Sequence, residues 1–376
     1  MTMKKFHAII ILITLFLTSC APKDIASLPL TSLQAEAVNT LQAGTPLVSP
    51  AGNGYAEELQ AHPEYLDGGP TYGWSKRSSQ VQHGALVIFE TKEDEVRFLS
   101  LEDFHLPTLL FRGKIIGLFG SVLVCRDKTH AYALDLATPK EWVQLQPLEF
   151  CTAFAHAGNT LYLYSSDTGN NHWCDAVDLG TLTATRTMLP SAVYDAEGYN
   201  GAVYTAREQG LYKNDTLVSE KFLGFSMVQE SGHLFFFNEY SSCWDFDLET
   251  EQCREEPKIF NSTFSNGLMI YRETEDYEPV FTYYRISDGE KVQPTYEELN
   301  RIPLSGGHCL WEEETETHQN VLQVSLGKTA RRLELTGYSG TPFAHQNHLA
   351  LVAPDALLLV DLKKNQKFHI LSYEYE

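Results

Sequence analysis

The chain has 376 residues, of which 43% are hydrophobic and 12% aromatic, enough for a sizeable core and opposed to intrinsic disorder. Its formal charge is −21, from 28 basic and 49 acidic side chains. A surface of that sign repels phosphate backbones and anionic headgroups, which argues against a nucleic-acid partner.

In chain order, Lys4 and Lys5 precede an apolar stretch from Ala8 to Leu17, closed by Leu17-Thr18-Ser19-Cys20. That order, basic head, short apolar run, small residues and cysteine, resembles a bacterial lipoprotein signal with its lipobox. The resemblance implies that residues 1–19 are a signal peptide, cleaved before Cys20, and that Cys20 is the lipidation site. A run of about ten apolar residues fits a signal peptide better than a membrane span, which needs about twenty. Ala21 follows the cysteine, so the aspartate that retains lipoproteins at the inner membrane of enteric-type bacteria is absent. The expected location is the cell envelope on the extracytoplasmic side: the outer membrane in a Gram-negative cell, the outer face of the cell membrane in a Gram-positive one.

Residues 20–79 read as a lipid-anchored tether, with Pro22, Pro29, Pro46 and Pro50 along it. Within it, Thr31-Ser32-Leu33-Gln34 has capping-box spacing, Leu33, Ala37 and Leu41 recur every four residues, and Gly44 stands where a helix stops. The spacing predicts one short amphipathic helix.

Residues 80–376 repeat a unit of four short strands separated by Gly, Asn and Asp turns, clearest from Lys114 to Leu148. One small polar anchor closes the third strand of each unit: Ser100, Asp135, Asp178, Asn214, Asp247, Ser287, Ser325 and Asp361, spaced 33 to 43 residues apart. Phe154-Ala155-His156-Ala157-Gly158-Asn159 also matches Phe343-Ala344-His345-Gln346-Asn347 with a one-residue gap. The expectation is an all-β, eight-bladed β-propeller of four-stranded blades, or a seven-bladed one because the Asn214 unit is short. This body resembles β-propellers with PQQ-like or YncE-like repeats. The tryptophan-rich docking motif and the regular WD40 signature are both missing, so the resemblance implies a fold and brings no cofactor.

With Cys20 given to lipid, six cysteines remain, and an exported protein can oxidise them. Cys243 and Cys253 flank the hairpin turn Leu248-Glu249-Thr250-Glu251 and form the candidate disulfide, with register deciding whether they meet. The sequence assigns no catalytic residue and no metal site: it has no His-Glu-x-x-His, no Gly-x-Ser-x-Gly and no complete phosphate loop, since Leu322 replaces the leading glycine before Gly327-Lys328-Thr329. Asp167-Thr168-Gly169-Asn170-Asn171 reads as a plain loop, with calcium as its sharper alternative. His156, His233, His308, His345 and His348 cluster at the turns into second strands, and Glu312 to Glu314 with Glu316 form an acidic run; both read as structural or solvated before they read as catalytic.

Two functions fit this inventory. One is a membrane-anchored binding or assembly scaffold for a protein or glycan partner, with no nucleic acid. The other is an extracytoplasmic hydrolase or lyase with its site at the channel mouth of the propeller.

Overall fold

A computed structural model describes residues 30–47, 79–127, 130–147, 151–220, 226–237, 243–265, 267–275, 278–294, 302–304, 308–314, 320–326, 329–334 and 340–371. The expected signal peptide with Cys20, most of the expected tether, Glu316, Gly327 and Lys328 lie outside them.

Alternating strand patterns and tight turns give eight four-stranded antiparallel sheets, each a simple meander. The fold is an all-β, eight-bladed β-propeller. Blade 1 comprises Gln80–His83, Leu86–Glu90, Glu95–Ser100 and Thr108–Arg112. Blade 2 comprises Lys114–Phe119, Val122–Arg126, His130–Asp135 and Val143–Pro147. Blade 3 comprises Cys151–Ala157, Thr160–Ser166, His172–Asp178 and Thr183–Leu189, and blade 4 Val193–Tyr199, Ala202–Arg207, Gly210–Lys213 and Thr216–Ser219. Blade 5 comprises Ser226–Glu230, His233–Phe237, Cys243–Asp247 and Gln252–Glu255, and blade 6 Ser262–Ser265, Leu268–Glu275, Glu278–Arg285 and Lys291–Val292. Blade 7 comprises Ile302–Leu304, His308–Glu314, Asn320–Leu326 and Thr329–Glu334, and blade 8 Thr341–His345, His348–Val352, Leu357–Asp361 and Gln366–Ile370. The chain divides into two compact units, blades 1 to 6 in one and blades 7 and 8 with residues 30–40 in the other.

The core lies between blades. Within blade 2, Val122 and Val124 point into a cluster with Leu161, Leu163 and Val177 of blade 3, while Leu123 and Cys125 point the other way into a cluster with Ile88, Val96 and Leu110 of blade 1. Alternation therefore buries both faces of one strand. Further clusters join blades 3 and 4, 4 and 5, and 5 and 6, and in the other unit blades 7 and 8. Polar bolts supplement them: Glu90 Oε1 accepts from the Ile115 N–H at 2.6 Å, Thr152 Oγ1 donates to the Val193 carbonyl at 2.8 Å, and Asp195 Oδ2 accepts from the Met227 N–H at 2.6 Å.

The repeat anchors have one local job. Oδ1 of Asp135, Asp178, Asp247 and Asp361 accepts backbone N–H groups two or three residues ahead, closing the turn into the fourth strand as an Asx turn. The residue after the third strand is a buried Leu or Ile whose N–H returns to the turn before the second strand: Leu101 to Ala85, Leu136 to Ser121, Leu179 to Asn159, Leu248 to Gly232, Ile286 to Gly267 and Leu362 to Asn347. In blade 6 the turn aspartate is Asp288, which accepts from Glu290 N–H, and not the expected Ser287. In blade 4 the bond shifts inward, Asn214 N–H to Val203 carbonyl, which accounts for the short strands there.

The tether corrects the expected helix. Its described part runs as strands Leu30–Thr31, Gln34–Glu36 and Gln42–Ala43 around the 3-10 turn Val38–Thr40. The first pairs in parallel with the fourth strand of blade 7, the second with that of blade 8, and the third with His105–Leu106. A helix this short is marginal in water, whereas the open sheet edges offer fixed backbone partners and Leu33 packs on the cluster between blades 7 and 8.

Candidate functional site

Hairpin register places charged residues in opposed pairs on the third and fourth strands. In blade 5, Asp245 faces Arg254 and in blade 3 Asp175 faces Arg186. Asp175 is 1% exposed and takes Arg186 Nε at 2.8 Å and Nη2 at 2.7 Å, with the guanidinium 4.6 Å above the Trp173 ring. Asp245, equally buried, takes Arg254 Nε at 2.8 Å through Oδ2 and shares a 2.7 Å hydrogen bond with His233 Nδ1 through Oδ1. Buried carboxylates require such partners, and the fork of arginine supplies two parallel donors. Neither pair is among the residues singled out from sequence, although Asp245 and Arg254 are equidistant from the turn Leu248-Glu249-Thr250-Glu251.

Blades 5 and 6 leave a cleft beside this pair. Phe235, Met269 and Ile286 form its apolar part, and Arg254, Lys258 and Arg285 bring three cations to it. Each cation has an acidic neighbour: Asp245 for Arg254, Glu256 at 3.1 Å for Lys258, and Asp288 at 2.6 Å for Arg285. Lys258 Nζ also stands 5.1 Å from the Tyr284 ring centroid. The lining thus combines apolar side chains, paired charges and the Tyr284 ring, a mixture able to contact a polar or aromatic side chain.

The other residues singled out from sequence are scattered. His156 is exposed in the first strand of blade 3, its ring 5.2 Å from that of Phe119. His345 lies 3.3 Å from the Gln346 amide, and His348 Nε2 lies 3.7 Å from Asp361. His308 and Glu312 to Glu314 belong to the second strand of blade 7. Asp167 spends its carboxylate on its own loop, accepting from the Gly169 and Asn171 N–H groups and the Asn171 amide. Among the described residues no group of three or more His, Cys, Asp or Glu is arranged to hold a metal ion. Burial pushes the Cys151 and Cys174 thiols up to about 12, which keeps both protonated.

Cys243 and Cys253 do not meet. Cys253 faces Phe246, three residues from Cys243, so the two side chains leave opposite faces of the sheet. Cys253 packs on the cluster between blades 4 and 5, Cys243 belongs to the one between blades 5 and 6, and both carry thiols.

No family model and no curated protein matches the chain. Among solved structures it is similar to the computationally designed Ika8 protein, at 12% identity and TM-score 0.41 over 86% of this chain and 89% of that one. It is also similar to BamB from Moraxella catarrhalis, at 12% identity and TM-score 0.40 over 76% and 93%, and to the WD40 β-propeller domain of Doa1, at 13% and 0.35 over 68% and 95%. The fold assignment rests on the sheets themselves.

Proposed function

We propose that the protein is a lipid-anchored extracytoplasmic β-propeller that holds a protein partner at a membrane surface. The observation that carries this reading is Leu17-Thr18-Ser19-Cys20 behind a short apolar run, followed by a body made of blades. Nine residues separate Cys20 from the strand Leu30–Thr31 on blade 7, and a chain of that length extends at most about 35 Å, so the anchor would keep the body close to the membrane. The cleft between blades 5 and 6 and the exposed fourth strands supply surface for recognition, and the acidic body favours a partner of neutral or basic character.

The test is purification of the full-length chain from membranes of its own source in mild detergent, followed by chemical cross-linking. The reading expects one protein recovered in near-stoichiometric amount and cross-linked to blade residues. A chain that partitions to the aqueous fraction, or that emerges with no cross-linked protein, refutes it.

A further inference from the structure

The propeller treats its outer sheet edges unequally. A fourth strand with nothing beyond it presents a row of backbone N–H and C=O groups that template pairing with another chain, and proteins blunt such edges by shortening them, by placing proline or lysine there, or by covering them. Blades 7 and 8 are covered, each by a parallel strand from the N-terminal segment. Blade 1 has a fourth strand of five residues that ends in Arg112, blade 2 ends its fourth strand in Pro147, blades 4 and 5 have fourth strands of four residues, and blade 6 has one of two. Blade 3 stands apart. Its fourth strand, Thr183–Leu189, is the longest of these at seven residues, contains neither proline nor lysine, and among the described residues is paired on one side only.

The side chains on that edge are suited to a guest strand. Thr185 and Thr187 are exposed on one face, and on the other Met188 is 60% exposed beside the position of Trp173 opposite it. Arg186 is already engaged with Asp175, so its charge does not repel an incoming basic segment as a solvated lysine would. The chain's own N-terminal strands show that the outer edge of a blade of this kind accepts an added strand in parallel.

We propose that the outer edge of blade 3, Thr183–Leu189, is a docking site for an extended, neutral-to-basic segment of a partner protein, which adds as a fifth strand with an apolar residue beside Met188. The inference rests on the partner-binding reading above and deepens it. A second copy of this chain is the less suited occupant, because each copy carries −21 and like charges oppose edge-to-edge pairing. Main-chain hydrogen bonds would give affinity, and the alternate side chains would give specificity.

The test uses the full-length protein in detergent and a fluorescent probe peptide of about nine residues that alternates threonine with valine and carries a lysine at each end. Binding read by anisotropy should saturate, hydrogen exchange should slow at the amides of residues 183–189, and Thr185→Lys with Met188→Lys should weaken binding by about tenfold or more while leaving the melting temperature unchanged. Equal affinity for the double variant, or protection confined to the fourth strand of another blade, overturns the proposal. In cells, a photo-cross-linker at Met188 should capture the partner. Capture only from Phe281, an exposed residue of blade 6, would overturn the edge proposal while leaving partner binding intact; capture from neither position overturns the edge proposal and counts against partner binding as well.

Discussion

Gly198 sits in the first strand of blade 4, where it runs against the first strand of blade 3 along a seam of Ala153, Ala155, Ala157 and Ala196. A Cβ added at Gly198 would lie 1.7 Å from the His156 carbonyl oxygen and 2.6 Å from its carbon. Ordinary contact begins near 3.4 Å, so Gly198→Ala must drive the two backbones apart by about 1.7 Å, with no flexible side chain able to give way. Overpacking of that kind costs about 3 kcal/mol. The control is Gly158→Ala: its φ of 62° is strained for alanine, but its Cβ meets nothing within 4 Å, so it costs about 1 kcal/mol. Thermal unfolding followed by tryptophan fluorescence should place Gly198→Ala about 3 °C or more below Gly158→Ala. Equal melting temperatures would refute the close approach of blades 3 and 4 on which their packing depends.

Leu248→Ala removes a buried side chain from the cluster between blades 4 and 5 and should cost about 3 kcal/mol in urea unfolding, whereas the half-exposed Leu217→Ala should stay within about 0.5 kcal/mol of the parent. The turn aspartates set an acid limit. Backbone N–H groups of Thr250 and Thr181 hold Asp247 and Asp178 below the usual carboxylate range, and the Ser121 hydroxyl does the same for Asp135. For Asp361, burial acts upward, but the Lys364 N–H and ammonium outweigh it. A depressed folded-state pKa contributes stability above the unfolded value and loses it as pH falls through the folded one, so the melting temperature should hold above about pH 5 and decline below about pH 4. An unchanged melting temperature down to about pH 3 would contradict the turn bonds. Peptide mapping of the non-reduced protein should return Cys243 and Cys253 in separate peptides; a linked peptide would require a different register in the hairpin of blade 5.

Blades 2, 3, 5 and 8 were the most legible because each repeats one physical requirement. An aspartate closes the turn and a Leu or Ile behind it fills the gap between blades, so Asp135-Leu136, Asp178-Leu179, Asp247-Leu248 and Asp361-Leu362 could be read directly. The N-terminal segment was not legible: Leu33, Ala37 and Leu41 carry helical spacing, yet the competing sheet edges are formed by residues some three hundred positions away. Register limited the rest. Cys243 stands five residues before the turn Leu248-Glu249-Thr250-Glu251 and Cys253 two after it, so the register that sets Asp245 opposite Arg254 puts the cysteines on opposite faces. In the matched turns, positive φ falls on Gly158 in the first copy and on Gln346, not Asn347, in the second.

That this propeller works from a lipid anchor is tested most directly by intact-mass and N-terminal peptide analysis of the protein purified from its own membranes. The expected result is a mature chain that begins at Cys20 with acyl groups on its sulfur and amine, and a Cys20→Ser variant that is neither acylated nor processed. A chain that retains Met1, or that begins elsewhere with an unmodified Cys20, would contradict it.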